Sequence, residues 1–236
     1  MDLDITHQLR AAGAEAVEIN APMGPERLTQ LVDWLTGQEP STVVDLGCGH
    51  GAMLLRVARR SSTTQCVGVD VDPDVIEVAR AAAAAAGLGE QVTFEVADAT
   101  RWNDAAAATL CIGAAHAFGG PSDMLASLAE LTDPQGVGVV GTTVWSQRPD
   151  DWCLQMFGDL IRTDDLLVDA EAWGWTIEAV ERSTLQEWDD FESRWTAGVT
   201  AVRTSQALSF AEQRQSDYQR YRGVLGFAWL QLRRRD

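Results

Sequence analysis

The residues best placed to do chemistry lie in one stretch, VVDLGCGHGA at 43–52. An apolar strand runs into a glycine-rich turn and on into a helix, a geometry that brings a ligand against backbone N–H groups at the helix N-terminus. Two cofactor classes use it. In one reading Gly47, Gly49 and Ala52 satisfy the dinucleotide pattern G-x-G-x-x-A, with Asp70 at the end of the next strand to hold ribose hydroxyls. In the other the loop is D-x-G-x-G-x-G, led by Asp45 two residues before the first glycine. A carboxylate there repels a dinucleotide pyrophosphate in a poorly screened pocket. It suits a ligand with an ammonium group at an aminoacyl end and a sulfonium at its sulfur. Asp70 then accepts from a ribose diol, and Asp98, in ADAT at 97–100, is placed to accept from an adenine amino group. Each acid alone is equally an ordinary loop or helix cap, but three at the carboxyl ends of successive strands converge on one crevice.

His116, in GAAHAFGG at 113–120, is the candidate general base, because imidazole titrates near neutral pH and the loop should face the same crevice. The same side chain can instead shape its loop or hold the substrate. His50 reads as a loop residue or cofactor neighbour, and His7 as solvent exposed. Aromatic residues supply a second clue. Most of the 9 tryptophans fall at or after position 145, together with both tyrosines. Trp145, Trp152, Trp188 and Tyr221 are candidates for a substrate wall that stacks on an aromatic or cationic molecule. Trp173, Trp175 and Trp229 read as packing against a sheet. Asp189, Asp190 and Glu192 can receive an amine, although a solvated acidic face is the expected role. Cys48 and Cys111 read as small core fillers. No CxxC spacing or histidine pair accompanies the 4 cysteines, so no metal site is expected.

Alternating strands and helices must position these groups. Apolar runs at 42–46, 66–70, 92–96, 109–113 and 137–144 read as strands, with helices over 51–60, 73–86, 101–107 and 121–131 between them. This is the pattern of a doubly wound α/β sheet. Two helices precede it, at 3–18 and 26–35. After Trp145 a helix is expected at 164–173, a sixth strand at 175–184 and a seventh at 223–232. The stretch 186–222 is helical in pattern and far longer than an ordinary connection, so it reads as a helical insertion over the mouth of the sheet. One domain is expected: a helical flap at 1–40, a cofactor-binding core at 41–145, cap helices and the sixth strand at 146–222, and the last strand at 223–236.

Composition narrows the chemistry. All 18 bases are arginine, against 35 acids, for a formal charge of −17. Without lysine there is no Walker A phosphate loop, no Schiff base and no Tyr–Lys dehydrogenase pair. The acidity disfavours nucleic-acid backbones and anionic membranes and favours cationic or neutral small partners. The N-terminal MDLDITHQLR lacks the apolar run of a secretory signal, and no apolar run is long enough to span a bilayer. A cytoplasmic protein is expected.

VVDLGCGHG at 43–51, VGVDVDP at 67–73, FEVADAT at 94–100 and CIGAAHAFGG at 111–120 resemble the motifs of the class I S-adenosylmethionine-dependent methyltransferases. NAPMGPERL at 20–28, EWDDFESRW at 187–195 and YRGVLGFAW at 221–229 are similar to small-molecule members common in GC-rich bacteria. The resemblance runs from about residue 20 to the C-terminus. It implies a mostly parallel seven-stranded Rossmann-like sheet with the last strand antiparallel, and S-adenosylmethionine as cofactor. It also implies that Gly47 and Gly49 approach the cofactor, Asp70 holds its ribose, Val71 packs on adenine, Asp98 and the Ala99 amide read the adenine edge, and the backbone around Ile112 meets the aminoacyl group. The family's acid after the fifth strand has no counterpart in GTTVWSQRP at 141–149. The expected activity is methyl transfer to N or O of a small metabolite by a monomer or homodimer. The alternatives are an NAD-dependent oxidoreductase, a non-catalytic S-adenosylmethionine-binding protein and, more remotely, a methyltransferase of macromolecules.

Overall fold

The computed structural model describes residues 3–236, with Leu3 and Asp4 described by backbone alone. Seven strands form one sheet: β1 (Thr42–Leu46), β2 (Gln65–Asp70), β3 (Val92–Val96), β4 (Ala106–Ile112), β5 (Thr132–Trp145), β6 (Trp175–Arg182) and β7 (Leu225–Arg234). Their spatial order is β3-β2-β1-β4-β5-β7-β6. The first five pair in parallel, and β7 runs antiparallel between β5 and β6. Chain order reverses at the boundary between β1 and β4, where open α/β sheets bind ligands outside the carboxyl ends of the strands.

Because side chains alternate across a strand, neighbouring residues feed opposite layers. Val43, Leu110 and Val139 join a cluster with α2 (Pro25–Gly37), α3 (Ala52–Arg60) and α4 (Pro73–Ala85). Val44, Cys111 and Val140 join another with α5 (Pro121–Leu131) and α7 (Thr163–Ala172). A third, smaller cluster unites α1 (Leu3–Glu15) with α8 (Leu185–Thr200) and α9 (Ser205–Tyr221), and these three helices form the cap. None of the described helices is long and apolar enough to cross a membrane.

Two local expectations change, and a third is refined. The helix expected at 101–107 is a single 3-10 turn at Ala99–Arg101, and β4 begins at Ala106. The alanines there favour a helix, yet Ala106 and Ala108 are fully buried in strand β4, where Ala108 pairs with both neighbours, β1 and β5. A short helix, α6 (Asp151–Phe157), fills a stretch assigned no element, started by the Asp150 carboxylate accepting from the Cys153 N–H at 2.8 Å. The insertion at 186–222 is a hairpin of two helices, α8 beginning in a capping box between Thr184 and Glu187.

Candidate active site

At the carboxyl ends of β1, β2 and β4 lies a cavity of about 560 Å³. Asp45, Gly47, Gly49, Asp70, Ile112 and His116 all contribute to its wall. The glycine loop is built from the backbone. Gly47 and Cys48 donate their N–H groups to the Val69 carbonyl at 2.8 and 3.0 Å, so the loop folds back over the end of β2. Gly47 has φ +82°, and a Cβ there would overlap that of Ala114. Gly49, at φ +53°, would meet nothing within 4 Å, so its open side faces free space. Positive φ at both positions favours glycine.

Asp70 ties this loop to the next. Its Oδ2 accepts from the Gly49 N–H at 3.0 Å and its Oδ1 from the Asp72 N–H at 3.1 Å. Asp72 in turn caps α4 through the Asp74 N–H at 2.9 Å. Asp45 stands differently. It is 3% exposed, and its Oδ1 is buried with no hydrogen-bond partner. Burial, reinforced by the neighbouring Asp70 carboxylate, pushes its pKa up to about 7. A buried acid without a partner on a cavity wall is completed by a cationic group, and a polyphosphate would meet its repulsion. That donor set fits S-adenosylmethionine.

The other residues assigned to the cofactor, Val71, Asp98 and Ala99, are not among those lining this cavity. The Ala97 N–H donates to the Asp70 carbonyl at 3.0 Å, which sets the end of β3 next to that of β2. There Val71 is 72% exposed and Ala99 is buried. Asp98 accepts from the Thr100 N–H and hydroxyl at 3.0 and 2.7 Å, and these bonds hold its carboxyl below the usual range.

His116 sits in a 3-10 turn at Ala115–Phe118, just past β4. All 3 histidines of the chain border this cavity: His116 from that turn, His50 from the glycine loop and His7 from α1. His7 is solvent exposed, as expected, but also belongs to a helix that roofs the cavity with Ala11, Ala14 and Glu15. The helical flap expected at 1–40 carries no sign in sequence that it seats on this cavity beyond the spacing of His7, Ala11 and Ala14, which places them on one face of α1.

The four aromatic residues assigned to the substrate come together, but not in the cavity wall. Phe157 packs edge-on against Trp145, Trp152 and Tyr221 with centroids 6.2, 6.5 and 5.0 Å apart, and Trp188 lies 6.2 Å from Tyr221. Trp145, Trp188 and Tyr221 are buried and Trp152 is half-buried. Both Trp145 and Trp188 bury an indole N–H without a partner. Ile112, on the cavity wall, packs against the hydrophobic cluster that contains them.

Glu192 is not on a solvated face. It is 5% exposed, accepts two bonds from Arg214 at 2.7 and 2.9 Å, and accepts from the Tyr221 hydroxyl at 2.8 Å. Asp189 pairs with Arg222 and Tyr218. Trp173, expected to pack on the sheet, is 46% exposed and donates to Ser122, whereas Trp175 and Trp229 are buried as expected. Burial raises the thiols of Cys48 and Cys111 above their ordinary range, consistent with core packing.

Residues 43–136 match the model of a methyltransferase domain. Ajmaline N-methyltransferase of Rauvolfia serpentina is 39% identical over 62 residues, 26% of this chain and 21% of that enzyme. Aklanonic acid methyltransferase of Streptomyces sp. (strain C5) is 39% identical over 84 residues, 35% of this chain and 36% of that enzyme. The chain thus matches about a fifth to a third of the length of these curated relatives. A S-adenosylmethionine-dependent methyltransferase from Geobacter sulfurreducens, solved in complex with S-adenosyl-L-homocysteine, superposes with a TM-score of 0.84 at 25% identity, covering 97% of this chain and 98% of that one. Residues 43–136 thus match a methyltransferase domain, and the chain shares its fold with an S-adenosylmethionine-dependent methyltransferase.

Proposed function

We propose that this chain transfers a methyl group from S-adenosylmethionine to a nitrogen or oxygen of a small-molecule metabolite, as a biosynthetic step. The observation that carries this reading is Asp45, a buried, unpartnered carboxylate on the wall of a cavity that also holds the glycine loop and Asp70. When bound, the cofactor supplies a methyl carbon already activated by its sulfonium. The chain's own groups do the rest. Asp45 faces the ammonium end, Asp70 accepts from the ribose hydroxyls, and the backbone around Ile112 meets the aminoacyl group. Val71 covers the adenine, whose edge is read by Asp98 and the Ala99 amide. Alignment and exclusion of water account for most of what such a displacement needs. His116 takes the proton that the acceptor atom loses.

For the acceptor, we assign the Ile112 side of the cavity, toward the packed aromatic cluster of Trp145, Trp152, Trp188 and Tyr221. Support comes from Ile112 packing against the same hydrophobic layer of the sheet that holds these aromatic residues, and from the small-molecule names of the curated relatives.

Isothermal titration with S-adenosylhomocysteine and with NAD tests the cofactor assignment. Binding of the first without the second is expected, and the reverse would sink the proposal. Binding without transfer to any member of a panel of amines, phenols and carboxylic acids would identify a non-catalytic cofactor-binding protein instead.

A further inference from the structure

Helix α1 packs against α8 and presents its other side to the cofactor cavity. Leu9 and Val17 join Trp195, Val199, Ala207 and Ala211 in a hydrophobic cluster separate from the two that line the sheet. Two glycines set the closeness of the helices. A Cβ at Gly13 would overlap the indole of Trp195, and one at Gly198 would overlap the Ala12 carbonyl oxygen and the Ala16 methyl. The indole is itself held in place. The Arg214 guanidinium lies 3.6 Å from its ring centroid while paired with the buried Glu192.

Helix α8 also holds the chain that leaves α1. Glu187 accepts from the Gly24 N–H at 3.0 Å and from Arg27 at 2.7 Å. The roof of the cofactor cavity therefore takes its position from α8. Glu18, paired with Arg56 of α3 at 2.5 Å, ties the segment to the core side of the cavity, and at such exposure that pair contributes little.

We propose that Gly13, Gly198 and Trp195 are positioning residues for cofactor binding: their close contact holds α1 across the cavity, so that cap and cofactor site respond as one unit. None of the three lies on the cavity wall, and no residue of α8 does. The inference rests on the cofactor assignment above. It also gives the acceptor a route of influence, since Trp188 of the aromatic cluster and Trp195 of the α1 contact share the same helix.

The test compares native chain, Gly13→Leu, and Gly13→Leu combined with Trp195→Ala, which removes the ring that the leucine meets. Titration with S-adenosylhomocysteine is expected to show Gly13→Leu weakened by at least about tenfold, chiefly through faster dissociation, with recovery of most of that loss in the double variant. The urea midpoint of the sheet should change little, because the α1 cluster is separate from it. Affinity of Gly13→Leu within about twofold of native, or equal weakening in both variants, would overturn the proposal. A second measurement uses the native chain alone. On addition of S-adenosylhomocysteine, amide exchange should slow in α8 as well as α1; slowing confined to α1 would overturn coupling through the cap. Failure of the native chain to bind S-adenosylhomocysteine at all would instead refute the cofactor assignment.

Discussion

Replacing Asp45 by Asn tests whether the cavity was built around a cation. In the unfolded chain this carboxyl titrates near 3.8, and in the fold it rises to about 7 because it is buried beside Asp70. Below the lower value both states carry the proton and the group contributes nothing to the pH dependence. As pH rises, the unfolded chain releases the proton while the folded chain keeps it, so stability falls by about 1.36 kcal/mol per pH unit. Above about 7 the loss is complete and amounts to about 4 kcal/mol. The amide of Asp45→Asn does not titrate. The difference in unfolding free energy between variant and native should therefore grow in the variant's favour by about 4 kcal/mol between pH 4 and pH 8. Urea denaturation at several pH values in that range, without ligand, measures it. Glu187 and Asp189, both pulled down to about 2 by their partners, are the same in both proteins and cancel in the comparison. Parallel stability curves would refute the argument, since they would mean that Asp45 ionises in the fold as it does in water. With S-adenosylmethionine present the penalty should shrink, because the ligand's positive groups stabilise the charged form, and affinity should rise with pH up to about 7. The same variant should bind S-adenosylmethionine poorly at pH 8.

The remaining predictions concern single groups. His116→Gln should lower turnover by about 10²-fold or more where the acceptor carries a proton, with S-adenosylhomocysteine affinity unchanged; near-native turnover across the pH range would remove it as base. Gly47→Val should cost about 2 kcal/mol or more, because a β-branched residue would be strained at that φ and would collide with Ala114, and calorimetric melting at the native temperature would contradict the loop geometry. Arg214→Ala leaves Glu192 buried with Tyr221 as its remaining donor and should destabilise the cap by about 3 kcal/mol, read by tryptophan fluorescence in urea; no change would mean the ion pair is solvated. The association rate of S-adenosylmethionine, which carries a net positive charge, should fall with salt more steeply than that of the neutral S-adenosylhomocysteine, and equal slopes in stopped-flow would exclude steering by the acids around the cavity.

The glycine loop, its two flanking acids and the strand–helix alternation were legible because their signals are local. A strand, a positive-φ turn and a helix start within ten residues leave few alternatives, and the apolar runs mark each buried strand. Non-local contacts were not legible. The stretch Ala105–Ala108 has helix-forming residues, yet burial between two strands overrides that preference. Glu192 reads as a surface acid because its partners, Arg214 and Tyr221, lie on the other arm of the α8–α9 hairpin. The roof supplied by α1 depends on Gly13 meeting Trp195, a contact between opposite ends of the chain that no spacing rule connects. His7 was for that reason read as exposed and nothing more.

Unsatisfied polar atoms locate the places where folding and function conflict. Among the described residues four buried side-chain atoms lack a partner: Asp45 Oδ1, Trp145 Nε1, Trp188 Nε1 and Thr196 Oγ1. Each costs about 1–3 kcal/mol when left unpaired, so their positions matter more than their number. The acceptor atom is on the cofactor side, where a cation would complete it. Both indole donors are in the aromatic cluster at the end of β5 and the start of α8, where an oxygen-bearing molecule would complete them. Thr196 Oγ1, in α8, belongs to neither place, while other buried polar groups are paired: Trp175 donates to the Leu125 carbonyl, Trp229 to Ser183, and Thr109 shares a bond with Thr132. The same residue type is thus satisfied where tryptophan serves packing and unsatisfied where it borders the side proposed for the acceptor. A chain folded only for stability would pair these donors or use phenylalanine. Retaining them is consistent with a site whose missing partners arrive with the cofactor and the acceptor.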